Sequence, residues 1–253
     1  MAYKVARFGW LPDLPDHRDF LYAAPVELAA APPGRVDLRP QCPPVYDQGQ
    51  LGSCTANAIA GAIEFDRRKQ KLADFMPSRL FIYYNERVME HTVDSDSGAQ
   101  IRDGIKSVAR QGDCPETEWP YVIAKFKTKP PRSCYTDALR YRVVQYQRLT
   151  QSLSQMKACL ASGYPFVFGF TVYESFESAA VARTGRVSLP RSGEAVIGGH
   201  AVMAVGYDDA RQWFLVRNSW GTGWGIKGYF TMPYAYLNDP DLANDFWTIR
   251  VVQ

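Results

Sequence analysis

Helical spacing dominates this chain up to about residue 141, and strand-like runs dominate it from 142 onward. Behind Ser53, a residue suited to an N-cap, Ala56, Ile59, Ala60 and Ile63 recur at the interval that buries one helix face. Ser78 stands at the start of a second helical pattern over 79–90. A third runs over 100–111 and ends at Gly112, where a helix C-terminus favours glycine. After 141 the pattern changes to runs rich in β-branched and aromatic residues at 142–149, 165–172, 201–207, 213–216, 228–232 and 247–251. One further helical run at 152–162 interrupts them. Helices first and strands afterwards predict an α+β chain in two lobes, 36–141 mainly helical and 142–253 mainly β. No internal repeat is visible.

Residues 1–35 are different. Pro12, Pro15, Pro25, Pro32 and Pro33 stop long helices, and 29–33 reads as a linker. Yet Phe8, Trp10, Leu11, Leu14, Phe20 and Leu21 are too apolar for a free tail, so this leader is expected to lie on a surface. Its first ten residues lack the apolar centre of a secretory signal, which makes the cytoplasm the default location unless export follows another route. No apolar run reaches about 18 residues, so no membrane-spanning helix is expected. The net charge of +3 is close to balance, and the densest basic patch, 125–129, reads as a solvated loop rather than a nucleic-acid contact.

Five cysteines (Cys42, Cys54, Cys114, Cys134 and Cys159) and three histidines (His17, His91 and His200) are scattered without short metal-ligand spacings, so neither a metal nor another cofactor is expected. By itself each is more readily a buried thiol or a surface imidazole than a catalyst. Three settings change that. Cys54 follows Gly49, Gly52 and Ser53 and opens a helix, where free N–H groups favour a thiolate. His200 follows Gly198 and Gly199, whose bare backbone lets a peptide approach. Asn218 opens Asn218-Ser219-Trp220-Gly221-Thr222-Gly223-Trp224-Gly225, in which tryptophan can shield a polar pair from water.

In this order, the segments at Gln48-Gly49 with Gly52-Ser53-Cys54, at Gly199-His200-Ala201-Val202 and at Asn218-Ser219-Trp220-Gly221 resemble those of the papain family of cysteine peptidases. His200 lies 146 residues after Cys54 and Asn218 lies 164 after it. The first falls within the family's spacing of about 130–150 and the second a little beyond. Val36-Asp37-Leu38-Arg39 resembles the start of the family's mature enzymes, so the likeness spans about 36–233, and a short leader fits a bacterial branch. Leu51 stands where the family usually has a second cysteine, Thr55 where it has an aromatic residue, and Gly98-Ala99 where it has a glycine pair.

The resemblance implies a papain-like fold, with a helical left lobe, an antiparallel β-barrel-like right lobe and the active-site cleft between them. It implies a cysteine endopeptidase working through a thioester acyl-enzyme. Cys54 is then the nucleophile, His200 the base and acid, Asn218 the orienting group and Gln48 an oxyanion donor. Substrate would contact Gly98, Ala99, Gly169, Gly198, Gly199, Ala201 and Trp220, with 241–246 closing the main pocket, Asp241 or Asp245 at its end, and bulky or basic residues preferred in it. The partners implied are a peptide or protein substrate and the chain's own N-terminal segment as a cleft-covering inhibitor. Two other readings use the same residues: a Cys-His acyl transferase or amidase, and a binding module that kept the fold but lost catalysis. The second is disfavoured because Cys54, His200, Asn218 and Gln48 are all present.

Overall fold

The computed structural model of the protein describes residues 4, 5 and 7–253; Met1, Ala2, Tyr3 and Ala6 of the leader lie outside them. In chain order the elements are β1 (Trp10–Leu11), α1 (Val26–Ala30), β2 (Arg35–Asp37), α2 (Cys54–Lys69), α3 (Arg79–Met89), β3 (Ala99–Gln100), α4 (Ile101–Gln111), α5 (Arg132–Ala138), β4 (Val143–Arg148), α6 (Leu153–Ala161), β5 (Phe166–Tyr173), α7 (Ala179–Thr184), β6 (Val196–Asp208), β7 (Trp213–Arg217), β8 (Tyr229–Pro233), α8 (Tyr234–Asn238) and β9 (Ala243–Val252). The long helices and strands stand where periodicity placed them. The pieces missed are short: β1, α1, β2, β3, α5, α7 and α8. Region 29–33 is not simply a linker either. Its first two residues end α1, which packs on α6.

Local rules explain the boundaries. Ser78 caps α3 by accepting from the Phe81 amide at 3.2 Å. Ser53 precedes α2 but makes no side-chain cap; its hydroxyl is shared with Tyr121 and Asn57. α4 ends at Gly112 with φ +76°, and a methyl group there would stand 1.7 Å from the Ala138 carbonyl oxygen.

Apart from β1 and β3, which pair with each other, the strands form one antiparallel sheet in the order β4-β9-β5-β6-β7-β8, with β2 added along β6. Register shifts in the β4–β9, β5–β9 and β6–β7 pairings bend it. Among the described residues the edge strands β4 and β8 do not pair, so the expected barrel-like lobe is an open, curved sheet and not a closed barrel. α2 is the spine, packing on α3 and α4 on one side and on β5, β6 and β9 on the other. It is buried from Cys54 to Arg67, and Ala56, Ala58, Ala60, Gly61 and Ala62 keep its diameter small enough to sit between the two layers. Among the described residues no helix is long and apolar enough to cross a membrane.

Candidate active site

Three elements converge at the N-terminal end of α2. Cys54 is its first residue and is fully buried. The sulfur accepts a hydrogen bond from the Ala201 amide at 3.3 Å, one residue beyond His200 on β6. Asn218 follows β7 directly, and its Oδ1 lies 2.8 Å from His200 Nε2. The Ser219 amide donates to the same oxygen at 2.8 Å and fixes the carboxamide. His200 Nδ1 makes no hydrogen bond among the described residues. The imidazole therefore commits Nε2 to Asn218 and keeps Nδ1 unspent.

Aromatic rings close over the pair. Trp220 lies 5.0 Å from the His200 ring, inclined by 31°. Phe170 and Phe176 lie 5.7 and 6.4 Å away. Trp220 thus lies over the histidine ring, while Phe176 had no motif to announce it.

Gln48 is tied into this assembly. Its amide donates to the Ser219 carbonyl at 2.8 Å, and its Oε1 accepts from Ser219 Oγ at 2.6 Å. Side-chain Nε2 donates one hydrogen to the Leu51 carbonyl at 3.0 Å, which leaves one for a ligand. Tyr121 supports the same loop, donating to the Gln48 carbonyl at 3.0 Å and sharing a hydrogen bond with Ser53 Oγ. Ser219 and Tyr121 were not legible as site residues, because one hydroxyl among many carries no spacing signal.

The leader lies across this site. β1 pairs in parallel with β3, Trp10 opposite Ala99, and the Ala99 amide donates to the Gly9 carbonyl at 2.8 Å. A methyl group at Gly98 would stand 2.2 Å from Gly9 O, one at Gly169 1.9 Å from Trp10 Cε2, one at Gly199 2.7 Å from Trp10 Cε3, and one at Gly198 2.6 Å from Phe8 Cβ. So Gly98, Ala99, Gly169, Gly198 and Gly199, all expected to meet substrate, meet residues 8–10 instead. Ala201, expected among them, is fully buried and gives its amide to Cys54. The apolar leader is covered only in part: Trp10 is buried and Phe8 half-buried, but Leu11, Leu14, Phe20 and Leu21 are exposed.

Of the two candidate acids, Asp241 is exposed and Asp245 is buried. Asp245 accepts from Trp10 Nε1 at 3.1 Å and from the Asp13 amide at 2.8 Å, and pairs with Arg148 at 3.3 Å. Asp13 accepts from the Arg102 amide at 3.1 Å and from Trp247 Nε1 at 2.8 Å. Burial, then the neighbouring Asp245 charge, pushes Asp13 up to about 7, and burial raises Asp245 as well.

Burial also decides the thiol. The helix N-terminus was expected to lower its pKa. Instead desolvation pushes Cys54 up to about 12, against the pull of the Ala201, Gly9 and Thr55 amides. Desolvation lowers His200 to about 4, opposed by its hydrogen bond to Asn218. With the leader seated, both groups are neutral at pH 7.

A two-lobed fold with a cysteine at the head of its central helix, beside a histidine–asparagine pair on the facing sheet, defines a thiol-peptidase class. The sequence profile of the papain family cysteine proteases matches residues 32–247, and the chain belongs to that family of hydrolases. It is 46% identical over 270 residues to an uncharacterized peptidase C1-like protein of Acanthamoeba polyphaga mimivirus, covering 97% of this chain and 87% of that one. To a cathepsin B-like protein, CP3, of Giardia intestinalis it is 30% identical over 229 residues, covering 80% and 69%. Among solved structures, xylellain, a cysteine protease from Xylella fastidiosa, superposes with a TM-score of 0.93 at 47% identity, covering 100% of this chain and 99% of that one. Procathepsin B S9 from Trypanosoma congolense shares the fold, with a TM-score of 0.78 at 17% identity over 98% of this chain and 87% of that one.

Replacing Ser219 by Ala leaves Gln48 Oε1 buried without its donor. Urea unfolding should show a loss of about 1–3 kcal/mol; an unchanged stability would mean that Ser219 does not hold Gln48.

Proposed function

We propose that the chain is an endopeptidase that cleaves peptide bonds by covalent thiol catalysis, and that its own leader holds the site closed. The single observation that carries the chemistry is the division of labour on His200: Nε2 bound to Asn218 at 2.8 Å, Nδ1 without a partner among the described residues, and the Cys54 sulfur held by the next residue's amide.

With the leader displaced, water returns to the pair and the cost of charge falls. The proton of Cys54 then moves to His200 Nδ1, giving a thiolate at a helix N-terminus and an imidazolium whose Nε2–H is held by Asn218. The thiolate attacks the scissile carbonyl. The oxyanion is met by the free hydrogen of Gln48 Nε2 and by the Cys54 amide, each worth about 2.7–4 kcal/mol in comparable sites. Nδ1–H protonates the leaving amine, and a thioester remains on Cys54. The same nitrogen then takes a proton from water, which attacks the thioester and frees the sulfur. Asn218 orients the ring throughout, as an orienting carboxylate does in serine triads.

Trp10 marks the main specificity pocket. Gly169 and Gly199 make room for a large flat group, and Asp245 accepts a hydrogen bond at its end. Bulky aromatic or basic side chains of a substrate suit that pocket. Gly9 marks how tightly the leader sits, since a methyl group on it would stand 1.7 Å from the Gly52 carbonyl oxygen.

Three outcomes test this reading. Cys54→Ala should abolish hydrolysis of peptide substrates while circular dichroism stays unchanged; retained activity would reassign the nucleophile. Gly9→Ala should dislodge the leader and raise the rate of Cys54 alkylation by iodoacetamide at pH 7 at least tenfold, because the thiol is neutral below about 12 only while it is covered. Equal labelling of both chains would mean that the leader does not gate the thiol. The third outcome concerns acid. Asp13, raised from 3.8 to about 7 in the closed form, favours closure fully below 3.8 and loses that contribution as pH rises through about 7; Asp245 acts in the same direction. His200, lowered from 6.5 to about 4, acts in the opposite sense: its contribution to closure is present above 6.5 and lost as pH falls through about 4. The carboxylates offset the histidine, so acidification from pH 7 to 5 should leave the leader seated. Exchange protection of the Ala99 amide, bonded to Gly9 O, reads this directly, and its collapse at pH 5 would refute it.

A further inference from the structure

Away from the cleft, Cys114 and Cys134 meet in the interior although 20 positions separate them. Cys114 is 0% exposed and Cys134, in the first turn of α5, 1% exposed. Their sulfurs and a Glu118 carboxylate oxygen all lie within 4.8 Å of one another. We propose that Cys114 and Cys134 are a redox site that closes to a disulfide.

The surroundings favour a bond over a metal ion. Glu118 is exposed, and among the described residues no fourth His, Cys, Asp or Glu joins the group. A tetrahedral cation would therefore lack a closed protein cage. Binding it would also keep two thiolates charged in an interior that already raises both thiols by desolvation. A disulfide is neutral and suits the same burial without a partner. The backbone around the pair is firmly placed: the Cys114 carbonyl accepts from the Ser78 amide at 2.9 Å, and the Cys134 amide donates to Pro131 O at 3.0 Å. Formation needs an oxidant, here a small-molecule disulfide such as glutathione disulfide. One cysteine thiolate displaces the first glutathione and forms a mixed disulfide, and the other cysteine displaces the second. Two protons and two electrons leave the pair, and two reduced glutathiones are released.

The bond would staple the loop that supports the nucleophile. Between the two cysteines, Trp119 O accepts from Ser78 Oγ at 2.7 Å, and Tyr121 holds Gln48 O and Ser53 Oγ next to Cys54. Closing a loop of this length restricts the unfolded chain and raises the thermal midpoint.

The test reads thiols and does not depend on peptidase activity. The full-length Cys54→Ala chain, which removes the proposed nucleophile and keeps four cysteines, is equilibrated with glutathione disulfide, denatured and alkylated. The expected result is two free thiols and tryptic fragment 111–125 linked to 133–140. Dithiothreitol should then lower the thermal midpoint by roughly 6–12 °C, and Cys134→Ser should make the midpoint indifferent to reductant. Should that variant fail to fold, the thiol count on the parent chain still decides. Four free thiols, a link from either cysteine to Cys42 or Cys159, or a stoichiometric zinc ion protecting both sulfurs would each overturn the proposal.

Discussion

The hydrogen bonds between Gln48 and Ser219 join the two halves of the molecule where chemistry would occur. Gln48 belongs to the loop that leads into α2, and Ser219 to the turn that leaves β7. Their backbone bond at 2.8 Å and side-chain bond at 2.6 Å set the head of the helix against the histidine–asparagine edge of the sheet. A bridge between Asp47 and Trp220, and the Gly221 amide on Tyr46 O at 2.9 Å, extend the same seam. Cys54 and His200 stand on different layers, so their relation depends on this seam together with the packing of α2 against β6. Net hydrogen-bond energies of about 0.5–1.5 kcal/mol are modest singly. Several bonds at one buried locus, each leaving an unpaired atom if broken, make it rigid.

Much of this could be read in the chain beforehand. The alternation of periods placed every long element, because a buried helix face and a buried strand need different spacings of apolar residues. Cys54, His200 and Asn218 were legible because glycines and tryptophans around them are costly to keep without a use. What stayed hidden has a common cause. Ser219, Tyr121 and Phe176 act through contacts between residues far apart in sequence, and none sits in a distinctive local pattern. α1, α5, α7 and α8 are too short for a period to show. The degree of closure of the barrel-like lobe was not legible, because strand count does not reveal whether the edges β4 and β8 meet.

The thiol shows two local rules in competition. A helix N-terminus is worth about 0.3–1 kcal/mol to a nearby anion when exposed, and up to about 2 in favourable partly buried geometries. Removing a charge from water costs several kcal/mol. With Gly9 over the sulfur and rings around the imidazole, the second rule wins, and Cys54 and His200 are both neutral. Sequence position alone predicts the pair as it would be in an open cleft. On the proposed function, the leader converts the same residues into a quiet interior without changing any of them.

Burial and pairing both hold the leader, and unpaired polar atoms oppose them. Burying an indole removes about 150–250 Å² from water, worth roughly 4–6 kcal/mol for Trp10 at 25 cal/mol per Å². Against this stand polar atoms of the site that are buried without a protein partner among the described residues: His200 Nδ1, Asn218 Nδ2 and Trp220 Nε1. Each costs on the order of 1–3 kcal/mol when buried unpaired. Leu11, Leu14, Phe20 and Leu21 add little, since they remain exposed. The anchorage thus combines Trp10 and its bond to Asp245 with the Ala99–Gly9 backbone bond and the buried pairing of Asp13 and Asp19 with Arg102 and Arg148. On the proposed function, a competing peptide displaces this segment without unfolding the lobes beneath it.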